Sequence, residues 1–297
     1  MGELDNHSFF SGHWRRRVPD EIYTLGLMAK NRLTWPPHPG RPRQGRLRRL
    51  AEIASRGVVL RRRLPSRFGG RTLYVSPECG LRYWQFDLGK VDPVLLGMAE
   101  RYVRAGDVVW DIGANVGLFT FAAAYRAARV LAFEPDPWLA DLLERTAASF
   151  PNVSIIRAAV ADYCGEGELH IAVRARGSNF LLGNGSSQSG GTRCLQPIRV
   201  LTLDSLDQPP PDLLKIDVEA GELAVLRGAA RLLADRRPAV ICEVAEENAS
   251  AVTACLGGYT LFDAERGIQV NTAVWSTVAV AASAVGSSPL DVAAAGR

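Results

Sequence analysis

The run VVWDIGANVGLFTF, residues 108–121, is apolar until it meets one carboxylate, Asp111, and it then takes two glycines, Gly113 and Gly117, before turning apolar again. A carboxylate closing a buried strand needs a cation or a donor facing it, because an unpaired charge is costly in apolar surroundings. Gly113 lets the backbone turn sharply, and Gly117 lets the next helix start close to the sheet or to a ligand. A second carboxylate, Glu134, ends the following apolar strand, VLAFEP, 17 residues after Gly117. In doubly wound folds an acidic group at that place reaches ribose hydroxyls.

A third group of charges lies further on, in Lys215-Ile216-Asp217-Val218-Glu219. Lys215, Asp217 and Glu219 share one face if the segment stays extended. Three charges on one face of an apolar strand are either paired structurally or put to use. The useful reading makes Asp217 a base for a substrate hydroxyl, oriented by Lys215, with Glu219 or Glu243 as further candidates. Asp217, Glu219 and Glu243 would also suit a Mg²⁺ site, but strand-end carboxylates have other uses and no metal is expected.

The turn G-A-N-V-G identifies the kind of ligand. A dinucleotide site wants G-x-G-x-x-G, whose helix N-terminal amides hold a pyrophosphate. Here one glycine is missing and Asp111 stands just before the turn. A carboxylate repels a pyrophosphate and welcomes an ammonium or sulfonium. A ligand with a ribose and a positive charge is implied, and S-adenosylmethionine fits.

These residues must be held by regular elements. From residue 106 onward, apolar runs of five to seven residues alternate with helical segments: DVVWDIG and a helix over 117–126, ARVLAFEP and PWLADLLERTAASF, VSIIRAAVA, DLLKIDVE and AGELAVLRGAARLLADRR, PAVICEV and another helix. Short apolar strands separated by helices mean βαβ units around a parallel sheet buried on both faces. GELHIAVRA and PIRVLTL read as a strand pair joined by RGSNFLLGNGSSQSGG, 176–191, a loop expected to act as a lid that is loose without an acceptor. GYTLFD and VWSTVAVAA read as a closing hairpin. RTLYVS and LRYWQF read as short strands ahead of a helix near 93–103. His170, in GELHIAV, reads as a partly exposed strand histidine.

Six motifs in order, DIGANVGLFT (111–120), AFEPDP (132–137), AVADYCGEGEL (159–169), VLTLDSL (200–206), LLKIDVEAGELAVLRGA (213–229) and PAVICEV (238–244), resemble the FkbM-type S-adenosylmethionine-dependent methyltransferases. The resemblance implies a Rossmann-like class I methyltransferase fold of the α/β class: a seven-stranded, mostly parallel sheet with helices on both faces, a closing antiparallel hairpin and a small N-terminal extension. It implies O-methylation of a hydroxyl on a small molecule, secondary metabolite or glycan. Asp111, Gly113, Asn115 and Gly117 are then assigned to the cofactor, with Asp111 and Gly113 near its methionine end, Glu134 at the ribose and Asp162 facing the adenine amine. One departure stands out: the family usually reads Glu-Gly-Ala-Glu where this chain has Glu219-Ala220-Gly221-Glu222. If the first slot needs a positive φ, Ala220 is strained. A nucleic-acid methyltransferase and an NAD or nucleotide-sugar oxidoreductase are the other readings weighed. The first lacks a base-flipping tetrad or RNA-binding motif; the second lacks the third glycine.

Composition bounds the rest. A chain of 297 residues, 47% hydrophobic and 22% charged, has the make-up of a globular protein. Five cysteines, odd in number and never CxxC, suggest neither a disulfide framework nor a zinc site. A cytoplasmic setting follows as the expectation. Residues 1–70 hold 15 Lys and Arg against 5 Asp and Glu, whereas the remainder holds 20 against 26. The expected division is therefore a basic extension over 1–70, partly helical or disordered; a lead-in over 71–105; a methyltransferase domain over 106–285; and a disordered tail over 286–297. The basic segment is open to a membrane surface, no nucleic-acid partner is expected, and a chain starting near Arg71 is expected to fold. The sequence leaves the acceptor and the oligomeric state open.

Overall fold

The computed structural model describes residues 42–181 and 189–282. The chain divides into two units between Leu47 and Arg48, and apart from the first turn and a half of the first helix the architecture below belongs to the second. The expected tail over 286–297 and the middle of the loop 176–191 lie outside the described residues.

A helix, α1 (Pro42–Ala54), is followed by the antiparallel hairpin of β1 (Leu60–Arg63) and β2 (Thr72–Val75). The helix forms where Leu50 and Ala54 recur at helical spacing but ends before Val58, and Leu50 and Ile53 stay exposed. The boundary expected between residues 70 and 71 runs through the β1–β2 hairpin and is corrected here. Leu64 and Phe68, N-terminal to it, are buried in the main core, so a chain cut at Arg71 would lose part of that core. LRYWQF is also corrected: Leu81–Trp84 is a 3₁₀ turn, with Tyr83 buried, and not a strand. α2 (Pro93–Tyr102) starts on Asp92, whose side chain accepts from the Leu95 N–H, with Pro93 at the first helical position.

The βαβ region begins with β3 (Val108–Ile112), α3 (Leu118–Ala123), β4 (Arg129–Phe133), α4 (Pro137–Ala147) and β5 (Val153–Ile156). VSIIRAAVA, expected as one strand, is two. After β5 the chain crosses to β6 (Ala159–Val160), which joins β7 (Gly165–Ala172), β8 (Phe180–Leu181) and β9 (Thr192–Leu201) in a separate four-stranded sheet ordered β6-β9-β7-β8. The chain then returns through β10 (Leu213–Ile216), α5 (Glu222–Arg227), α6 (Ala230–Asp235), β11 (Ala239–Glu243), α7 (Ala249–Cys255), β12 (Tyr259–Asp263), β13 (Gln269–Val270) and β14 (Ser276–Ala281).

AGELAVLRGAARLLADRR, expected as one helix, breaks at Gly228-Ala229 between α5 and α6. A Cβ on Gly228 would stand 2.0 Å from the Ala161 carbonyl oxygen, and the Gly228 carbonyl accepts the Asp204 N–H. Close contact with the neighbouring backbone, not helix propensity, decides that break.

The main sheet runs β13-β12-β14-β11-β10-β3-β4-β5, with β11, β10, β3, β4 and β5 parallel and β12, β13 and β14 antiparallel to their neighbours. This is the Rossmann-like class I methyltransferase arrangement with its closing hairpin; the two-residue β13 makes eight strands where seven were expected. One large apolar cluster gathers residues of α2, α3, α4 and the β1–β2 hairpin. A second gathers α5, α6 and α7, so the sheet is covered on both faces. Strand order reverses between β3 and β10, which places Asp111, the Gly113–Gly117 turn and Lys215 at the crevice beyond the carboxyl ends of the strands.

Candidate active site

The turn after β3 is built from backbone demands. Gly113 has φ 79°, and a Cβ there would lie 2.0 Å from the Asp217 carbonyl oxygen, so only glycine fits between the two strand ends. The N–H groups of Gly113 and Ala114 both donate to the Phe133 carbonyl at 3.0 Å. Asn115 takes the left-handed conformation, φ 54°, which asparagine tolerates better than most residues. Gly117, φ 82°, abuts side chains: a Cβ would meet the Phe121 ring at 2.4 Å and Leu143 at 2.7 Å. The second glycine therefore serves helix–helix packing at the start of α3.

Glu134, just beyond β4, is enclosed beside this turn. Oε2 accepts the Asn115 N–H at 2.8 Å and Oε1 accepts the Asp136 N–H at 2.9 Å. Burial dominates and the two amides only partly offset it, so the Glu134 carboxyl is pushed up to about 8. The side-chain oxygen of Asn115 is buried and has no hydrogen-bond partner, which leaves one open acceptor inside the turn.

The adjoining edge holds the charges of β3, β10 and β11. Lys215 lies opposite Asp111 in the parallel register. Its Nζ is 3.0 Å from Asp111 Oδ1 and 3.2 Å from Asp217 Oδ2, and it faces the Gly113 carbonyl at 3.5 Å. Asp111 Oδ2 accepts the Thr120 hydroxyl at 2.6 Å. Burial opposes the charge on Lys215, but Asp111 and Asp217 outweigh it and hold the ammonium protonated. The carboxylate expected to face a ligand's cation thus meets a cation of the chain itself. Asp217 remains 39% exposed at its side chain.

Ile216 pairs with Cys242, so Asp217 and Glu243 follow one another at the ends of adjacent strands. Repulsion from Asp217, and then burial, raises the Glu243 carboxyl well above its usual range. The extended face assumed for Lys215, Asp217 and Glu219 holds for the first two only. β10 stops at Ile216, and Ala220 at φ 56° turns the chain, so Glu219 falls in the turn before α5. Asp162 is exposed after β6. Among the described residues, Asp217, Glu219 and Glu243 do not form a three-ligand metal cluster. His170 Nδ1 lies 2.8 Å from the Thr192 hydroxyl, its ring stacked on Phe180, within the smaller sheet.

Several residues of the region escaped the sequence reading. Arg82 pairs with Asp92 at 2.7 Å, and Asp217 and Glu243 are among the charges that act on it, so the lead-in segment reaches this edge. Asp136 caps α4 through the Trp138 N–H, and its other oxygen takes Arg176 at 2.5 Å and Asn179 at 2.8 Å. Arg176 also reaches Glu78 at 2.9 Å, and Arg193 joins it there at 2.8 Å. Burial raises Glu78, but the Gly57 N–H and the two guanidiniums prevail and its pKa is lowered. The Asp136-Pro137 pair is a helix-start signal that would have located one end of this network; nothing in RGSN marks Arg176. The expected loose lid is therefore corrected for 176–181: Gly177 packs on the Cys79 carbonyl and on Asn115, and Arg176 fastens the segment down.

An α/β sheet of this order, with a glycine turn and a buried carboxyl group at its switch point, defines the Rossmann-like class I methyltransferases. The methyltransferase FkbM domain matches residues 111–265, which is 155 of the 297 residues, and the chain belongs to that family. It is 28% identical over 151 residues to the hexuronic acid methyltransferase AglP of Haloferax volcanii, covering 49% of this chain and 58% of that protein. It is 38% identical over 73 residues to a probable ribosomal RNA small subunit methyltransferase A of Methanopyrus kandleri, 24% of this chain and 26% of that one. The chain thus spans little more than half the first of these relatives and about a quarter of the second. The FkbM methyltransferase structure from Methylobacillus flagellatus aligns at 13% identity and a TM-score of 0.38, over 68% of this chain and 58% of that one.

Proposed function

We propose that the chain is an S-adenosylmethionine-dependent O-methyltransferase whose acceptor is a sugar hydroxyl, on a uronic-acid-containing glycan or a glycosylated small molecule. The observation that carries this reading is Asp217. Its carboxylate is held at 3.2 Å by a buried ammonium, yet is 39% open at the strand end beside the Gly113 turn. That is the placement of a base for a bound hydroxyl.

The cofactor is tested against the residues themselves. Glu134 keeps lone pairs on both oxygens after accepting two amides, as a ribose diol requires. The unpartnered Asn115 oxygen offers a further acceptor in the same turn. The residues fit, with Glu134, Asn115 and the Gly113 turn as the holders. When bound, the sulfonium supplies an activated methyl whose leaving group needs no protonation. The chain's part is then to align a nucleophile and take its proton. Asp217 takes it. Lys215 stays charged and keeps the Asp217 carboxylate oriented, and Glu243 in its protonated form limits the charge accumulating beside it.

The hexuronic acid relative supports the acceptor class, and five free cysteines suit a reducing, cytoplasmic site of action. None of the helices among the described residues is long and apolar enough to cross a membrane. The test is methyl transfer from labelled cofactor to a uronic acid glycoside, a neutral glycoside and an RNA fragment. Transfer to the glycosides is expected, with Asp217→Asn lowering kcat by about 10²–10⁴ at unchanged cofactor affinity. Transfer to RNA alone would overturn the acceptor, and full activity of Asp217→Asn would overturn the base.

A further inference from the structure

Far from the Asp217 edge, the C-terminal end of α4 and the β1–β2 hairpin enclose a groove of about 700 Å³. α4 is capped by Asp136 beside the candidate active site and runs 11 residues, about 16 Å at 1.5 Å per residue, to the groove. Its walls carry Arg61, Arg63, Arg71, Tyr74 and Arg145, and none of the lining residues is acidic.

Three of the four guanidiniums are held by aromatic rings or backbone. Arg145 lies 4.2 Å over the Tyr74 ring and Arg61 5.9 Å over the same ring. Arg71 lies 5.0 Å over Phe150 and donates to the Ser149 carbonyl. Arg61 and Arg63 stand on one face of β1, opposite Tyr74 and Thr72. Among the described residues none of these four arginines has a carboxylate partner. The two acids nearby on α4, Asp141 and Glu144, are both taken at 2.6 Å by Arg157. The last-turn position of Arg145 suits the helix dipole, whereas nothing in the fold calls for arginines at 61 and 63. Four unneutralised cations around one hollow repel each other unless an anion joins them.

We propose that this groove binds the repeated carboxylates of an acidic glycan strand, so that the enzyme grips a polymeric acceptor at a place separate from the transfer site. The proposal rests on the glycan reading above. Planar guanidinium forks match carboxylates in bidentate fashion. Single-stranded nucleic acid would want a bare aromatic platform, and the Tyr74 ring is already covered by Arg145. A flat lipid surface does not follow a concave groove.

The experiment titrates the full chain with a decameric oligogalacturonate, an RNA oligonucleotide of equal charge, anionic phosphatidylglycerol vesicles and neutral dextran, at several salt concentrations. Oligogalacturonate should bind most tightly and lose affinity as salt rises. The Arg61→Gln/Arg63→Gln double variant should bind it at least tenfold more weakly, with cofactor affinity intact. As a check that needs no variant, oligogalacturonate should protect Arg61 and Arg63 from phenylglyoxal, read by mass spectrometry. No binding, binding indifferent to the arginines, or tighter arginine-dependent binding of RNA or vesicles would each overturn the proposal. Methyl transfer to a monomeric uronic acid glycoside, measured alongside, separates the two readings. Transfer without arginine-dependent oligogalacturonate binding sinks the groove alone, while binding without transfer sinks the acceptor reading and leaves the groove standing as an anion site.

Discussion

Lys215 Nζ lies 3.0 Å from Asp111 Oδ1, with both side chains enclosed where β3 and β10 end side by side. The pair joins the Gly113 turn to the proposed base, because the same ammonium touches Asp217 and faces the Gly113 carbonyl. Replacing one member leaves the other as a buried uncompensated charge, which costs about 3–5 kcal/mol. Lys215→Met should therefore lower urea-unfolding stability by about that much. Adding Asp111→Asn should restore a large part of it. A single variant as stable as the parent would show that the pair is not buried as described.

Arg176 bridges Asp136 and Glu78, two carboxylates that are nearly inaccessible to solvent. Arg176→Ala leaves Asp136 with the Trp138 and Asn179 donors and Glu78 with Gly57 and Arg193. The loss of charge-assisted bonds should cost about 1–3 kcal/mol. Hydrogen exchange of residues 173–181 should be slow in the ligand-free parent and at least about tenfold faster in the variant, since 1.4 kcal/mol is a factor of ten. Rapid exchange in both would mean the segment is loose without this clamp.

Ala220 occupies the left-handed region at φ 56°, the slot that the FkbM-type pattern fills with glycine. An L side chain there costs roughly 1–2 kcal/mol, and glycine returns about 0.5–1 kcal/mol of that through its larger unfolded-state entropy. Ala220→Gly should stabilise by about 0.5–1 kcal/mol and raise Tm by about 1–4 °C. A calorimetric Tm that falls would place the strain elsewhere.

Glu134 is held up to about 8 in the folded protein, chiefly by burial, against an ordinary value of 4.5. Between those values the folded chain binds more protons than the unfolded one, so stability declines as pH rises. The contribution is complete below pH 4.5, is lost as pH passes through about 8, and is level above that. In chemical denaturation, the stability of the parent relative to Glu134→Gln should fall from pH 5 to pH 8 and then flatten. A difference that rises with pH would mean that Glu134 is stabilised in its charged form.

The alternation of apolar runs and helices from residue 106, the glycine turn and the carboxylates at strand ends were legible in the sequence, because parallel strands buried on both faces write near-continuous apolar runs. Asp111, Glu134, Lys215 and Asp217 stood out for the same reason: a charge inside such a run needs an explanation. The positive φ at residue 220 could be anticipated from one misplaced glycine. Only the tertiary structure decided which charges meet. The β3–β10 register brings Lys215 to Asp111, 104 residues away in the chain, and the termination of β10 at Ile216 removes Glu219 from that face. The fastening of Arg176 to Asp136 and Glu78, the break at Gly228 and the reach of Arg82 toward Asp217 depend on loops without periodicity, whose course is set by backbone contacts distant in sequence. Periodicity reports which face of an element is buried; it carries no information about which other element covers that face.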